Sequence, residues 1–151
     1  MRFTQVKDVF QEVSKLHNQL ANYYEQLSDT AEQERVKLLL NHIGSHSRHL
    51  EESLKAYEGD KDRHVMDTFV DCISCGDILI TCKQMPVTPD MSVEGVTRLA
   101  MDVDKCLQRF YREVADKADS EKVRELFRNL IDQEESELRK LALDAMAVEE
   151  M

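Results

Sequence analysis

Tryptophan is absent from this chain, and glycine and proline are scarce, at 4 and 2 residues in 151. So few turn-forming residues exclude a fold of many short strands, because tight turns draw on glycine, proline and small polar residues. Long apolar runs are missing as well, so no stretch is suited to crossing a membrane as a helix. The opening residues, MRFTQVKDVFQEV, lack the uninterrupted apolar core of a signal peptide, and a cytoplasmic protein is expected. Basic residues are in deficit, 20 against 30 acidic ones, for a net charge of −10. Nucleic acid and anionic membranes are therefore not expected as partners, since phosphate binding needs concentrated Lys and Arg. Four cysteines with no export signal read as free thiols.

What the chain does have is helical periodicity. Apolar residues recur every three or four positions in four long segments. The first runs from about Thr4 to Ser28 (Val6, Val9, Phe10, Val13, Leu16, Leu20, Tyr24, Leu27). The second follows a polar break at Asp29–Glu34 and ends near Tyr57, where Gly59 and Asp60 stop it. Met91–Lys117 gives the third, and Ser120–Met146 the fourth. Short breaks make each pair an antiparallel hairpin, and the Glu58–Asp90 connection returns the chain along the bundle. This predicts an all-α single domain over residues 1–151: hairpin 4–57, crossover 58–90, hairpin 91–147. The arrangement is a ferritin-like four-helix bundle with one long crossover between helices 2 and 3. Within the crossover, Arg63–Lys83 has the spacing of a further helix, and Pro86 and Pro89 mark a loop.

Glu134 and Glu137 stand where carboxylates are costly. At about 100° per residue both fall within roughly 40° of the centre of the apolar stripe formed by Val123, Phe127, Leu130 and Leu141. A buried carboxylate needs a proton, a basic partner or a metal. Arg109 or Lys105 on the preceding helix is one candidate partner.

The two hairpins repeat each other. His17, Leu20, Tyr24, Leu27, Val36, Leu39 and Ile43 superpose in register on Asp104, Leu107, Tyr111, Val114, Val123, Leu126 and Leu130. The second hairpin carries Tyr111-x-x-Val114, then Val123-x-x-Leu126-Phe127-x-x-Leu130-x-x-x-Glu134. This pattern resembles rubrerythrin-like members of the ferritin-like superfamily, over about Lys15–Leu54 and Asp102–Leu141. The resemblance implies two iron or manganese ions held by six residues, a Glu from the first helix of each half and a Glu-x-x-His pair from the second. Asp104 and His17 then occupy the two first-helix positions, seven residues before Tyr111 and Tyr24. Glu134-x-x-Glu137 fills one pair position. For the other, His46-x-x-His49 is out of step by one residue: the Asp104-to-Glu134 spacing carried back to His17 lands on Ser47, with Leu50 three residues on.

Two geometries are open. A one-residue difference, such as a shorter turn or a π-bulge near Gly44, brings His46 and His49 inward. A regular helix leaves them roughly 70–130° off the stripe and reduces the site to His17, Asp104, Glu134 and Glu137. His42, His46 and His49 also share one face at a spacing compatible with zinc. Tyr24 and Tyr111 either support ligands through their hydroxyls or fill the core. Cys72-x-x-Cys75 and Cys82 read as small buried residues rather than a zinc or redox motif, and no iron–sulfur module is present. A hemerythrin-like bundle is excluded by the lack of histidine after His64. Two functions fit. One is a metal-binding bundle holding one or two iron, manganese or zinc ions, with oxidative or peroxide-related chemistry. The other is a metal-free module acting through protein contacts or as a homodimer.

Overall fold

A computed structural model of the chain describes residues 3–59, 63–71 and 92–150. Strand β1 (Phe3–Gln5) leads directly into helix α1 (Val6–Thr30), which turns back into α2 (Glu34–Gly59). One turn of helix, α3 (Arg63–Met66), and strand β2 (Phe69–Asp71) follow. Helices α4 (Val93–Lys117) and α5 (Glu121–Glu149) complete the bundle. The four long helices match the four periodic segments, and α1 packs on α2 as α4 packs on α5. Each exceeds 24 residues, roughly 37 Å at the α-helical rise, so each spans the length of the core.

The buried stripes meet in one core. Phe10, Leu16, Leu39, Leu40, Leu107, Phe110 and Phe127 lose nearly all solvent contact there. Phe127 stands edge-on to Phe10, with ring centres 5.9 Å apart, and Tyr111 tilts against it at 6.1 Å. Side-chain caps fix where the second hairpin's helices begin. Ser92 Oγ accepts from the amide of Gly95 at 3.1 Å, and Ser120 Oγ from that of Val123 at 3.4 Å. Replacing Ser120 by alanine is expected to cost about 1 kcal/mol, read as a lowered urea midpoint with unchanged slope.

The crossover differs from expectation at its start. The helix anticipated over Arg63–Lys83 stops at Met66. Thr68 ends it by donating its amide to Val65 O (3.1 Å) and its hydroxyl to His64 O (2.7 Å). Phe69–Asp71 then pairs antiparallel with Phe3–Gln5, with Thr4 opposite Val70. The amide of Val6 donates to Thr68 O at 2.9 Å, and Lys7 pairs with Asp67 at 3.2 Å, so the start of α1 is tied to the crossover. The remainder of that expected helix, the proline loop and Cys72, Cys75 and Cys82 lie outside the described residues. Cys106, buried on α4, is disulfide-bonded, contrary to the free thiol expected. The redox argument concerns the compartment, and it carries no information on which thiols folding brings together.

No helix among the described residues is long and apolar enough to cross a membrane.

Candidate metal centre

Each long helix contributes one or more polar side chains at mid-bundle. His17 comes from α1, His46 and His49 from α2, Asp104 from α4, and Glu134 and Glu137 from α5. Glu134 and Glu137 are buried, at 1% and 3% exposure, as their place in the apolar stripe requires. His17 is equally buried, at 1%.

These residues form two connected groups. In the first, His17 Nε2 lies 3.2 Å from Glu134 Oε1, but the contact lacks hydrogen-bond alignment. Both His17 ring nitrogens and Glu134 Oε2 are buried without a hydrogen-bond partner. The Tyr111 hydroxyl donates to Glu134 Oε1 at 3.4 Å. Asp104 lies close enough to Glu134 and Glu137 to feel both carboxylates. Burial, then the charges of Glu134 and Glu137, push the Asp104 carboxyl well above its ordinary value of 3.8. Burial, then Glu134 and Asp104, also push the Tyr111 phenol up; burial, then Asp104, do the same for Tyr24.

The second group is centred on Glu137. Its Oε2 meets His46 Nδ1 at 2.5 Å, and its Oε1 meets His49 Nδ1 at 2.8 Å and Lys140 Nζ at 3.4 Å. His46 reaches on with Nε2 to Asp144 Oδ2 at 2.9 Å, and His42 Nδ1 lies 3.4 Å from the same oxygen. Burial works to raise the Glu137 carboxyl, but the hydrogen bonds of His46 and His49 outweigh it and hold the group below its ordinary 4.5. Asp144 behaves alike: burial raises it, and His46 and His42 bring it below 3.8.

Helix α2 is regular throughout, with no π-bulge at Gly44, which packs closely against Ala21 and Glu25 of α1. Ser47 and Leu50 therefore face the core and are buried, as a regular helix requires. His46 and His49 sit on the flank, yet both still reach Glu137 by swinging across toward α5. Arg109 and Lys105, the basic partners considered from sequence, are exposed and line a surface depression with Asp102, Gln108 and Arg112. The imidazoles and Lys140 take their place. Asp144 and Lys140 were not anticipated. The available signal was spacing: Glu137, Lys140 and Asp144 lie at i, i+3 and i+7 on α5, and His42, His46 and His49 at i, i+4 and i+7 on α2.

A cavity of about 20 Å³ lies beside these groups, lined by Asp104, Glu137, His46, Tyr24 and Ser47 among apolar side chains. That volume accommodates one water-sized particle. Among the described residues no three His, Cys, Asp or Glu side chains surround a coordination point as they stand. The donor chemistry nevertheless suits one hard or borderline cation. Two donors about 2.1 Å from one ion stand roughly 3.0–3.4 Å apart, the His17–Glu134 separation. Two ions about 3.5–4 Å apart fit poorly, since Ser47 and Leu50 occupy the positions from which α2 would supply its donors.

The architecture is that of the ferritin-like fold: two helical hairpins joined by a long crossover, with polar side chains converging at mid-bundle. Among solved structures, the chain is similar to one from Thermotoga maritima described as a ferritin-like diiron-carboxylate protein. The two share 19% identity, with 97% of each chain covered and a TM-score of 0.60. At that identity the likeness establishes the fold. No protein-family model and no curated protein matches the chain.

Proposed function

We propose that this is a ferritin-like metal-binding protein that holds a single ion in the bundle core, through His17, Asp104 and Glu134, with Glu137 at the site's edge. The observation that carries this reading is the buried, unpartnered state of both His17 nitrogens and of Glu134 Oε2. Polar atoms this deep are costly without a partner, and an ion would satisfy Glu134 Oε2 and one of the two His17 nitrogens, which point away from each other. In this reading His46 and His49 orient Glu137 rather than ligate the core ion. Of iron, manganese and zinc, the description of the Thermotoga maritima neighbour favours iron. Bound iron would supply oxidative or peroxide-directed chemistry. Tyr111 would hold the Glu134 carboxylate in place.

The test is metal content after purification without a histidine tag, followed by anaerobic loading with Fe²⁺. About one iron per chain is expected, and Glu134→Gln should abolish it while leaving the helical circular dichroism unchanged. Two irons per chain, or one retained in Glu134→Gln, would refute this assignment. A folded protein that takes up no iron would favour the second reading, a metal-free module working through protein contacts or as a homodimer. That reading draws on Ser47 and Leu50 in donor positions and on the exposed Leu143 and Met146 of α5, at 65% and 58%.

A further inference from the structure

Outside the core, the histidine face of α2 meets a carboxylate that no part of the core reading uses. His42 and His46 stand one turn apart on α2, and both approach the same oxygen of Asp144 on α5, at 3.4 and 2.9 Å. We propose that His42, His46 and Asp144 form a separate, solvent-facing site for one divalent ion of the zinc class.

Two of the three donor separations are close to those of a filled site, although the three side chains do not surround a coordination point as they stand. Donors about 2.0–2.1 Å from a tetrahedral ion lie roughly 3.3 Å from one another, so the two observed separations need adjustments of a few tenths of an ångström. His46 is oriented for the task from behind. Its Nδ1 is 2.5 Å from Glu137 Oε2, and a carboxylate there can only accept, so Nδ1 carries the proton. In the neutral ring this turns the Nε2 lone pair toward Asp144 Oδ2, another acceptor, at 2.9 Å. Two facing acceptors need a positive charge between them. A second proton on His46 would supply one, and a divalent ion would supply more while also engaging His42. A carboxylate behind a ligating imidazole is the usual arrangement at protein metal sites, because it fixes the tautomer and raises the basicity of the donor nitrogen.

The site is reachable and adjustable. The side chains of His42 and Asp144 are 39% and 34% exposed, so both can shift to admit an ion, and solvent can fill the fourth position. Asp144 presently contacts both imidazoles, so the ion enters by displacing the proton between His46 Nε2 and Asp144 Oδ2, which is released to solvent. Two histidines one turn apart with a single carboxylate and an open position form a donor set for zinc, cobalt or nickel. His49 stays out of this set, because the carboxylate it meets is Glu137, at 2.8 Å, rather than Asp144.

The site is tested by titrating tag-free, metal-free protein with Zn²⁺ in a calorimeter, with Co²⁺ absorption as a second probe of coordination. Wild type and Glu134→Gln should each bind zinc at this site, so a failure of the core assignment leaves the result readable. His42→Ala and Asp144→Ala should each weaken that binding by at least about tenfold, the lower bound set by losing even an indirect support of a ligand. Both substitutions lie at the surface, and unchanged circular dichroism shows the fold is kept. Absence of zinc binding in wild type, or unaltered binding in either variant, overturns the proposal.

Discussion

Asp104→Asn should make the metal-free protein more stable at neutral pH, by about 1–3 kcal/mol, while removing its capacity to hold iron. The carboxyl of Asp104 is raised well above 3.8 because burial and two neighbouring carboxylates disfavour its charge. Between 3.8 and that raised value the folded state binds a proton the unfolded chain has released, so stability falls as pH rises through the window. Above the window the full penalty of the charge is present. An asparagine amide is neutral at every pH, so this slope should disappear. Urea melts at a series of pH values check it: the two proteins should converge below pH 3.8 and diverge with rising pH. For a chain of this length each kcal/mol corresponds to roughly 2–4 °C in Tm. A variant less stable than wild type at neutral pH would mean that the Asp104 charge is compensated in the folded protein. Excess Fe²⁺ should reverse the order, since it stabilises only the protein that binds it.

The bundle was legible in the sequence, while the details of its polar centre were not. Helical stripes are written locally, in the three-to-four spacing of Val, Leu and Phe, and all four long helices lie where the spacing puts them. Glu134 and Glu137 declared themselves the same way, as acids in apolar register, and both are buried. The β1–β2 pair gave no such signal. Three residues on each side are too few for a period of two, and the partners Thr4 and Val70 are far apart in the chain. Periodicity also misjudged what His46 and His49 could reach. It measures angle about one axis, and by angle they point away from the core. An imidazole on the flank of α2 can still meet a carboxylate on the neighbouring α5, and contact across a helix pair depends on their relative placement. Asp144 was missed for that reason. His49 meets Glu137 while His42 meets Asp144, so contacts descend α2 as they ascend α5. The two helices are antiparallel, and in that register their charged faces meet.

The largest loss of stability is expected from His46→Ala. Glu137 is 3% exposed, and its ionised form rests on His46, His49 and Lys140. Removing one partner of a buried charge costs roughly 3–5 kcal/mol. The lower end applies here, about 3 kcal/mol, because His49 and Lys140 remain, each at a partly exposed site. The pH dependence separates this from a packing defect. In the wild type the Glu137 carboxyl is held below its ordinary 4.5, so its contribution is present above that value and is lost as pH falls through the lower folded one. Without His46 the burial that works to raise this group meets less opposition. The contribution should then be missing at neutral pH, and the acid limb of the stability curve should flatten. His46→Asn offers a control, since its amide nitrogen stands near the place of Nδ1 and can donate to Glu137 Oε2. It should recover most of the lost stability at pH 7. If His46→Ala melts within about 0.5 kcal/mol of wild type, His49 and Lys140 suffice for Glu137, and His46 is not its main support.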